Sequence, residues 1–180
     1  MSAADTVLRT AGDALLALGA ERPWAEISLR EIAEKAGVPL ADLYALANGK
    51  DALLAWLSRR FDDGALATAA AASDDPHDRL FDAVMGRLDA MAPHRAALIA
   101  ISRSASARTL ALHLPRTARA ILEAAGIEAS FPRLAAMTAV WTRVVQVWRD
   151  DDGALNRTMA EIDKRLKQMR RQLGRVGAGF

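Results

Sequence analysis

The stretch that decides the fold is SLREIAEKAGVPLADLYALANGKDALL, residues 28–54. Ser28, with a glutamate three residues later, forms a capping-box pattern that predicts a short helix over residues 29–36. Gly37 favours the left-handed turn that ends such a helix, and a second short helix is predicted over residues 40–47. Two short helices joined by a tight turn and preceded by a longer helix form a helix-turn-helix unit.

The rest of the chain is predicted to be helical as well. No run of β-branched and aromatic residues alternates with polar ones, whereas Ala, Leu and Arg recur at helical spacing throughout. Pro93 is expected to start a helix and Pro115 to kink or break one. About nine helices are predicted in all; those outside the helix-turn-helix cover residues 5–19, 51–70, 77–92, 94–106, 108–125, 131–149 and 153–176.

Composition and charge restrict the kinds of protein this can be. The 180 residues are 52% hydrophobic, enough for one substantial core, and the absence of cysteine excludes disulfides and thiolate metal sites. No apolar run approaches the ~20 residues that span a bilayer, and no signal-peptide pattern is present, so a cytoplasmic location is expected. Residues 1–70 hold seven basic and ten acidic side chains, whereas residues 71–180 hold 17 basic and 12 acidic ones. A nucleic-acid-binding head would ordinarily show the opposite bias.

Patterns typical of enzymes and metal sites do not occur in the sequence. His77, His94 and His113 have no partners at metal-ligand spacing, and no metalloprotease, nucleophile-elbow or phosphate-loop motif is found. The three aspartates at 150–152 are interpreted as a helix cap and turn, because consecutive carboxylates point in different directions. We therefore expect no enzymatic activity, cofactor or metal.

The first sixty residues resemble the N-terminal signature of the TetR family of transcriptional regulators. That signature has Ser or Thr, then Ile-Ala, Ala-Gly-Val, Leu-Tyr, an aromatic position and a Lys before an apolar helix. The matching residues here are Val7, Leu8, Ala11, Gly19, Trp24, Ser28, Ile32, Ala33, Ala36, Gly37, Val38, Leu43, Tyr44 and Lys50. The resemblance implies an all-α, TetR-like fold. It places a three-helix head at residues 1–50, a connecting helix at 51–70 and an effector-binding and dimerisation domain at 71–180.

The sequence departs from the family pattern where DNA would be contacted. Pro39 replaces the Ser that opens the recognition helix, Asp42 stands at a hydroxyl position, and Leu46 with Ala47 replaces His-Phe. An acid is repelled by phosphate, and each missing donor forfeits roughly 1–3 kcal/mol where it reads a base, although Asp42 can accept from a cytosine amine. Tyr44 and Lys50 keep the phosphate-contacting chemistry that the family uses. The expected DNA-facing residues are Arg30, Lys35, Leu40, Asp42, Tyr44 and Lys50; the alternative is a helix-turn-helix kept for packing alone.

The second half of the chain is similar to the effector domain of TetR-like proteins. It is also similar to ubiquinone-biosynthesis accessory proteins, which share the fold but bind lipids. The pattern consists of Arg79-Leu80, Arg87-Leu88, Pro93, Thr158, Asp163, Arg165 and Leu166. Both kinds of relative place an apolar cavity among the middle helices. The candidate lining residues are Phe81, Met85, Leu88, Leu98, Ile101, Leu122, Trp141, Arg143 and Val145; ordinary core packing is the alternative for the apolar ones, and a dimer face for Arg143.

The last two helices form the dimer contact in the family, and the heptad spacing of apolar residues in the last helix agrees, because such a seam must be covered. The expected interface residues are Val144, Trp148, Leu155, Met159, Ile162, Leu166, Met169 and Leu173. Away from the seam lie the basic residues Arg165, Lys167, Arg170, Arg171 and Arg175. These either contact an anionic membrane surface or form a solvated helix end favoured by the helix dipole.

The function predicted from these resemblances is that of a TetR-like, ligand-responsive transcriptional regulator. It would be a repressor that binds a palindromic duplex as a homodimer, and a small apolar effector would shift the spacing of the two heads. The alternative is a TetR-fold lipid- or quinone-binding accessory protein that does not bind DNA. The acidic head favours the alternative, and the match to the helix-turn-helix signature favours the regulator.

Overall fold

The computed structural model describes residues 2–71, 73–106, 109, 113–151 and 154–180. Within these residues the chain forms nine α-helices and no strand, which confirms the all-α prediction. The helices are α1 (Ala3–Glu21), α2 (Leu29–Ala36), α3 (Leu40–Leu46), α4 (Lys50–Ala67), α5 (Pro76–Met91), α6 (Arg95–Ser104), α7 (Leu114–Ala124), α8 (Phe131–Asp150) and α9 (Asn156–Arg175). In this part of the chain every helix is too short or too polar to cross a lipid bilayer.

The prolines begin helices rather than interrupt them. Pro115, which the sequence predicts to kink or break a helix, lies in the first turn of α7, where its missing N–H is not needed. Pro93 lies in a 3₁₀ turn directly before α6. The predicted helix over 108–125 includes positions 108 and 110–112, and the predicted turn over 150–153 includes positions 152 and 153; these positions lie outside the described residues.

The helices group into two compact units, and the first contains the head. It comprises Met1–Arg60 and Pro93–Leu112, so α6 belongs with the head helices and not with the body at 71–180, where the sequence prediction places it. A long-range contact joins α6 to the head: the Ile101 side chain packs against Gly19 of α1, where an added Cβ would lie 2.6 Å from it. The fully buried side chains at the centre of this unit include Leu15, Ile32, Leu43 and Leu53.

The second unit comprises Phe61–Ala92 and His113–Phe180. It contains α5, α7, α8, α9 and the C-terminal part of α4. Asp151 Oδ2 accepts from the backbone N–H of Thr158 at 2.9 Å and from its hydroxyl at 2.7 Å, so this aspartate caps the start of α9 as interpreted from the sequence. The largest fully buried side chains of the unit are Leu80, Leu88, Ile121, Leu122, Met137, Trp148, Ile162 and Leu166.

The heptad seam of α9 is covered by its own chain. Ile162, Leu166, Met169 and Leu173 are at most 3% exposed, and Val144 and Trp148 of α8 are equally buried. These six residues form core within one copy, which differs from their predicted role as a surface open to a second copy. Only the first two seam positions reach the surface, with Leu155 half-buried and Met159 41% exposed. A heptad pattern requires a covering helix but does not say which chain supplies it.

Two helices of the second unit, α4 and α5, approach each other closely at a pair of glycines. A Cβ on Gly64 would lie 2.5 Å from the carbonyl oxygen of Gly86, and a Cβ on Gly86 would lie 2.5 Å from the carbonyl oxygen of Gly64. Because the obstructing atoms belong to the backbone, they cannot rotate away. A side chain at either position would force the two helices apart.

We expect Gly86→Ala to lower the free energy of unfolding by roughly 1–3 kcal/mol, the usual cost of overpacking. Gly174→Ala is the matched control, because it lies in the last turn of α9 with no atom within 4 Å of the added Cβ. The control should leave the protein unchanged or stabilise it by about 0.5–1 kcal/mol. Urea denaturation measures both values, and equal effects of the two substitutions would contradict the close approach.

Candidate functional site

The head contains a helix-turn-helix whose geometry follows from its capping residues. Ser28 Oγ accepts from the N–H of Glu31 at 3.2 Å, and Glu31 Oε2 accepts from the N–H of Ser28 at 2.8 Å, so the predicted capping box is present. Gly37 has φ +66°, a left-handed conformation that favours glycine, and the N–H of Val38 donates back to α2 at 3.0 Å. The chain therefore turns sharply into α3, which is anchored by the fully buried Leu43.

A salt bridge ties the end of α1 to the start of α2. Arg22 Nη1 donates to Glu31 Oε1 at 2.8 Å, and Arg22 Nη2 donates to the carbonyl of Glu26 at 2.5 Å. The hydrogen bond from Arg22, assisted by those from Ser28, lowers the pKa of Glu31 to about 2. Glu31 is therefore ionised at neutral pH, and its carboxylate accepts hydrogen bonds from the Ser28 cap of α2 and from the Arg22 guanidinium at the same time.

Lys50, predicted to contact phosphate, is bound within the head itself. Its Nζ donates to the carbonyls of Trp24 and Ile27 at 2.5 and 2.7 Å, and it lies 5.1 Å from the centroid of the Trp24 ring. These contacts fix the segment between α1 and α2 to the start of α4. An ammonium has three donors, so two of those that a phosphate could use are already taken.

The other predicted DNA-facing residues lie on the surface of the first unit, and α3 presents few donors there. Tyr44 is 60% exposed, Leu46 43% and Leu40 37%, and Asp42 is also exposed. The exposed polar groups on α3 are therefore one phenol and one carboxylate. The predicted cations lie on α2, where Arg30 is exposed and Lys35 lies 4.0 Å from a carboxylate of α1.

A buried polar cluster occupies the core of the second unit. Arg87 of α5 is 4% exposed, and its Nε donates to Asp62 Oδ1 of α4 at 2.8 Å. Its Nη2 donates to Thr117 Oγ1 of α7 at 3.2 Å, and the Thr117 hydroxyl donates in turn to Asp62 Oδ1 at 3.2 Å. Burial lowers the pKa of the Arg87 guanidinium, while the charge and hydrogen bond of Asp62 oppose that shift.

Aromatic rings enclose the same guanidinium. The Arg87 Cζ atom lies 4.5 Å from the centroid of Trp141 on α8 and 6.0 Å from that of Phe61 on α4, and Nη1 lies 2.8 Å from Met91 Sδ. A cation over an aromatic face gains most when water is excluded, as it is here. The cluster thus joins side chains from four helices of the second unit.

The residues predicted to line one apolar pocket are distributed over both units. Leu88, Leu122 and Trp141 are buried in the second unit near the cluster, whereas Leu98 and Ile101 lie on α6 in the first unit. Arg143 is exposed, and its Nε lies 3.2 Å from a Glu161 oxygen. Arg143 therefore leaves the candidate pocket, because its guanidinium lies on the surface and is paired with Glu161. The remaining predicted residues, Phe81, Met85 and Val145, are half-buried.

Sequence reasoning misses the three polar members of the cluster, although one of them gives a signal. Arg87 follows Leu80 and Val84 and precedes Met91 at steps of seven, three and four residues, so it lies on the buried stripe of α5. An arginine on such a stripe requires a buried partner. Asp62 and Thr117 give no comparable signal, because their neighbours in sequence do not reveal what they face.

The architecture is similar to that of solved transcriptional regulators. A TetR transcriptional regulator from Rhodococcus sp. RHA1 matches with a TM-score of 0.67 and 18% identity, over 92% of this chain and 96% of that one. The chain has the TetR fold. A TetR-family regulator from Streptomyces coelicolor gives 0.56, with 21% identity over 96% and 98%, and a second regulator from Rhodococcus gives 0.54, with 17% over 92% and 96%. No family model matches the sequence, and no curated protein matches it significantly.

The Glu31 salt bridge predicts an acid-sensitive component of stability. The pKa of Glu31 falls from an ordinary value of 4.5 to about 2 on folding, so its stabilisation is complete above about pH 4.5 and is lost as the pH falls towards 2. Glu31→Gln removes this component, and Glu34→Gln, an exposed glutamate of the same helix, is the control. The melting-temperature difference between wild type and Glu31→Gln should shrink with acidity; a constant difference would exclude the linkage.

The buried cluster predicts strong coupling between its members. Asp62→Asn and Arg87→Met should each cost about 3–5 kcal/mol, because each leaves its partner buried without a counter-charge. The double variant should lose less than the sum of the two, by more than about 1 kcal/mol. Arg143→Met, which breaks an exposed pair, should change stability by less than about 1 kcal/mol. Denaturant titration gives the four values, and additive losses at Asp62 and Arg87 would refute the coupling.

Proposed function

We infer that this protein is a TetR-like, ligand-responsive transcriptional regulator that binds duplex DNA as a dimer. The observation that carries the inference is the helix-turn-helix with α3 held on the surface of the first unit. Support comes from the TetR fold, which the solved regulators share over more than nine-tenths of this chain. Such a protein acts by binding and not by catalysis, and the repressor is its simplest form.

DNA contact is assigned to the exposed side of α3 and to the neighbouring cations of α2. Tyr44 donates its hydroxyl to a phosphate, and Arg30 and Lys35 approach the backbone as point charges. Asp42 faces base edges, where a carboxylate accepts from the amine of cytosine, and Leu40 meets a thymine methyl. Lys50 contributes indirectly, because it fixes the segment before α2.

Dimer contact is assigned to the face where α8 and α9 meet. Glu161 of α9 has a 13% exposed side chain and accepts from Arg143 of α8 at 3.2 Å and from Arg165 of α9 at 2.7 Å. These hydrogen bonds lower the pKa of Glu161, that from Arg165 most. Ala139 and Gln146 lie exposed on the same helix as Arg143. This face replaces the heptad seam as the candidate interface, because the seam is already covered.

The effector site is assigned to the core of the second unit beside the Arg87 cluster. A small apolar molecule would pack against Leu88, Leu122 and Trp141, and the polar cluster would fix its orientation, as a few placed polar groups do in ligand pockets. Asp62 lies on α4, whose N-terminal part carries Lys50 of the first unit. A ligand that disturbs the Asp62–Arg87 pair therefore acts on the helix that also supplies a clamp of the head.

A second candidate function is favoured by the surface chemistry of α3. With Leu40, Leu46 and the Tyr44 ring exposed beside one carboxylate, the helix offers bases and phosphates few donors. A protein that has this fold and binds a lipid or quinone, but no DNA, needs no such donors on α3. The two candidates differ in whether a duplex is bound at all.

Gel shifts against the gene's own upstream region test the first candidate. Wild type should bind specifically, with an affinity that falls steeply as salt rises. Asp42→Thr should strengthen binding roughly fivefold, because it removes a charge that phosphate repels and adds a donor. Asp13→Thr, at an exposed aspartate of α1, makes the same change in net charge on another helix and is the control.

Two results would favour the second candidate. One is the absence of specific duplex binding at any salt concentration, and the other is an unchanged affinity of Asp42→Thr. Mass spectrometry of the purified protein should then detect a bound lipid or quinone, which the regulator hypothesis in its simplest form does not require.

A further inference from the structure

The outer side of α9 carries a basic stripe, which we define as Lys164, Lys167, Arg171 and Arg175. All four are exposed, and their spacing of three and four residues places them along one line of the helix, opposite the buried seam. Lys167 lies 2.8 Å from Asp163. Among the described residues, no carboxylate lies within 4.0 Å of the other three.

The outer side of α5 carries an acidic stripe, which we define as Asp78, Asp82 and Asp89. All three are exposed, and their spacing of four and seven residues again follows one line of the helix, away from the side that buries Arg87. In the described part of the chain, no cation lies within 4.0 Å of these carboxylates. Each stripe thus keeps most of its charge unneutralised.

The two stripes lie on neighbouring helices of one unit. His77 Nε2 of α5 lies 3.0 Å from Asp163 Oδ1 of α9, and Arg170 Nη1 lies 3.7 Å from Asp75 Oδ1. The pKa of the Asp163 carboxyl is lowered by its hydrogen bonds, that from Lys167 most and then that from His77, so it is a paired anion. The charged residues between α5 and α9 are therefore paired with one another, whereas most charges of the two stripes are not.

The stripes agree in length and in spacing. Each spans twelve residues, Asp78 to Asp89 and Lys164 to Arg175, so its ends are eleven steps or about 16 Å apart along an α-helix. Asp82 and Asp89 are separated by seven residues, and so are Lys164 and Arg171. A face with a line of anions beside an equally long line of cations is complementary in charge to a second copy of itself that is rotated by 180°.

We propose that the α5–α9 face binds a second copy of this chain about a two-fold axis, so that the basic stripe of each copy lies on the acidic stripe of the other. In such an isologous contact every charge pair occurs twice. It is distinct from the α8–α9 face and does not depend on DNA binding. Because its pairs stay near water, it is a weak, salt-sensitive association that adds to the dimer.

A membrane partner fits this surface less well, although the sequence suggests one. Of the five predicted membrane-facing cations, Arg165 binds Glu161, Lys167 binds Asp163, and Arg170 lies near Asp75. Of these five, Arg171 and Arg175 have no such partner, but the acidic stripe on the adjacent helix would repel the same anionic surface. A second copy presents the opposite sign to both stripes.

Charge reversal with mixing tests the proposal. Asp82→Lys/Asp89→Lys gives the α5 stripe a net positive charge, and Lys164→Glu/Arg171→Glu replaces two of the four cations of the α9 stripe by acids. Each double variant should weaken the salt-sensitive self-association of wild type at least about tenfold, since an exposed ion pair contributes roughly two- to fivefold and four pairs are reversed. An equimolar mixture of the two variants should restore association. Sedimentation velocity at low and high salt measures each case, and circular dichroism confirms folding.

Matched controls reverse the same number of charges elsewhere on the second unit. Glu123→Lys/Glu128→Lys and Arg116→Glu/Arg119→Glu alter exposed residues that belong to neither stripe, and should associate as wild type does. The proposal is wrong if wild type shows no salt-sensitive association, if the mixture fails to recover it, or if the controls lose as much. A different outcome is that wild type binds phosphatidylglycerol vesicles without self-associating, and that Lys164→Glu/Arg171→Glu loses this binding. That outcome would assign the basic stripe to a membrane.

Discussion

The withdrawal of the Arg87 guanidinium from water is the constraint around which the second unit is arranged. A buried charge is tolerated only when its counter-ion, hydrogen-bond acceptors and polarisable neighbours are all in place. Here Asp62, Thr117 and the Trp141 ring meet that condition from three other helices. The positions of α4, α5, α7 and α8 are therefore interdependent. An apolar core of the same volume would accept small shifts between helices that this hydrogen-bond geometry does not.

The head has the internal packing of a helix-turn-helix but few of the surface hydrogen-bond donors that DNA contact usually requires. Its internal contacts are complete: the capping box closes α2, Gly37 makes the turn, and Arg22 and Lys50 fix the connecting segments. Its outer side presents aliphatic groups, one phenol and one carboxylate. Fold and contact chemistry can diverge in this way because Leu43 faces the core, while the residues beside it on α3 face water.

The sequence predicts local features well and long-range ones poorly. Capping residues and apolar spacing predict where α2 begins and where it ends, because those signals act within one or two turns of a helix. Membership of a core is decided by partners far along the chain, which is why the spacing of apolar residues does not predict that Trp148 is buried within one copy. Ile101 fills the space that Gly19 leaves, some eighty residues earlier.

The candidate site shows the same division between local and distant information. Lys50 matches a phosphate-contacting position by resemblance, yet its ammonium is bound to two carbonyls more than twenty residues away. The Arg87 cluster joins groups 25 and 30 residues apart in sequence. Periodicity identifies the arginine as buried but cannot supply its partners, since hydrogen-bond complementarity leaves no periodic trace.

The contact between Gly64 and Gly86 has a consequence for how this chain can change. Most tight contacts permit compensation, in which one residue shrinks when its neighbour grows. Neither partner here can shrink, because each is already the smallest residue and the opposing atom is a carbonyl oxygen. An enlargement at one position thus has no remedy at the other and can be accommodated only by moving a whole helix. The same movement would displace Asp62, two residues away, from Arg87.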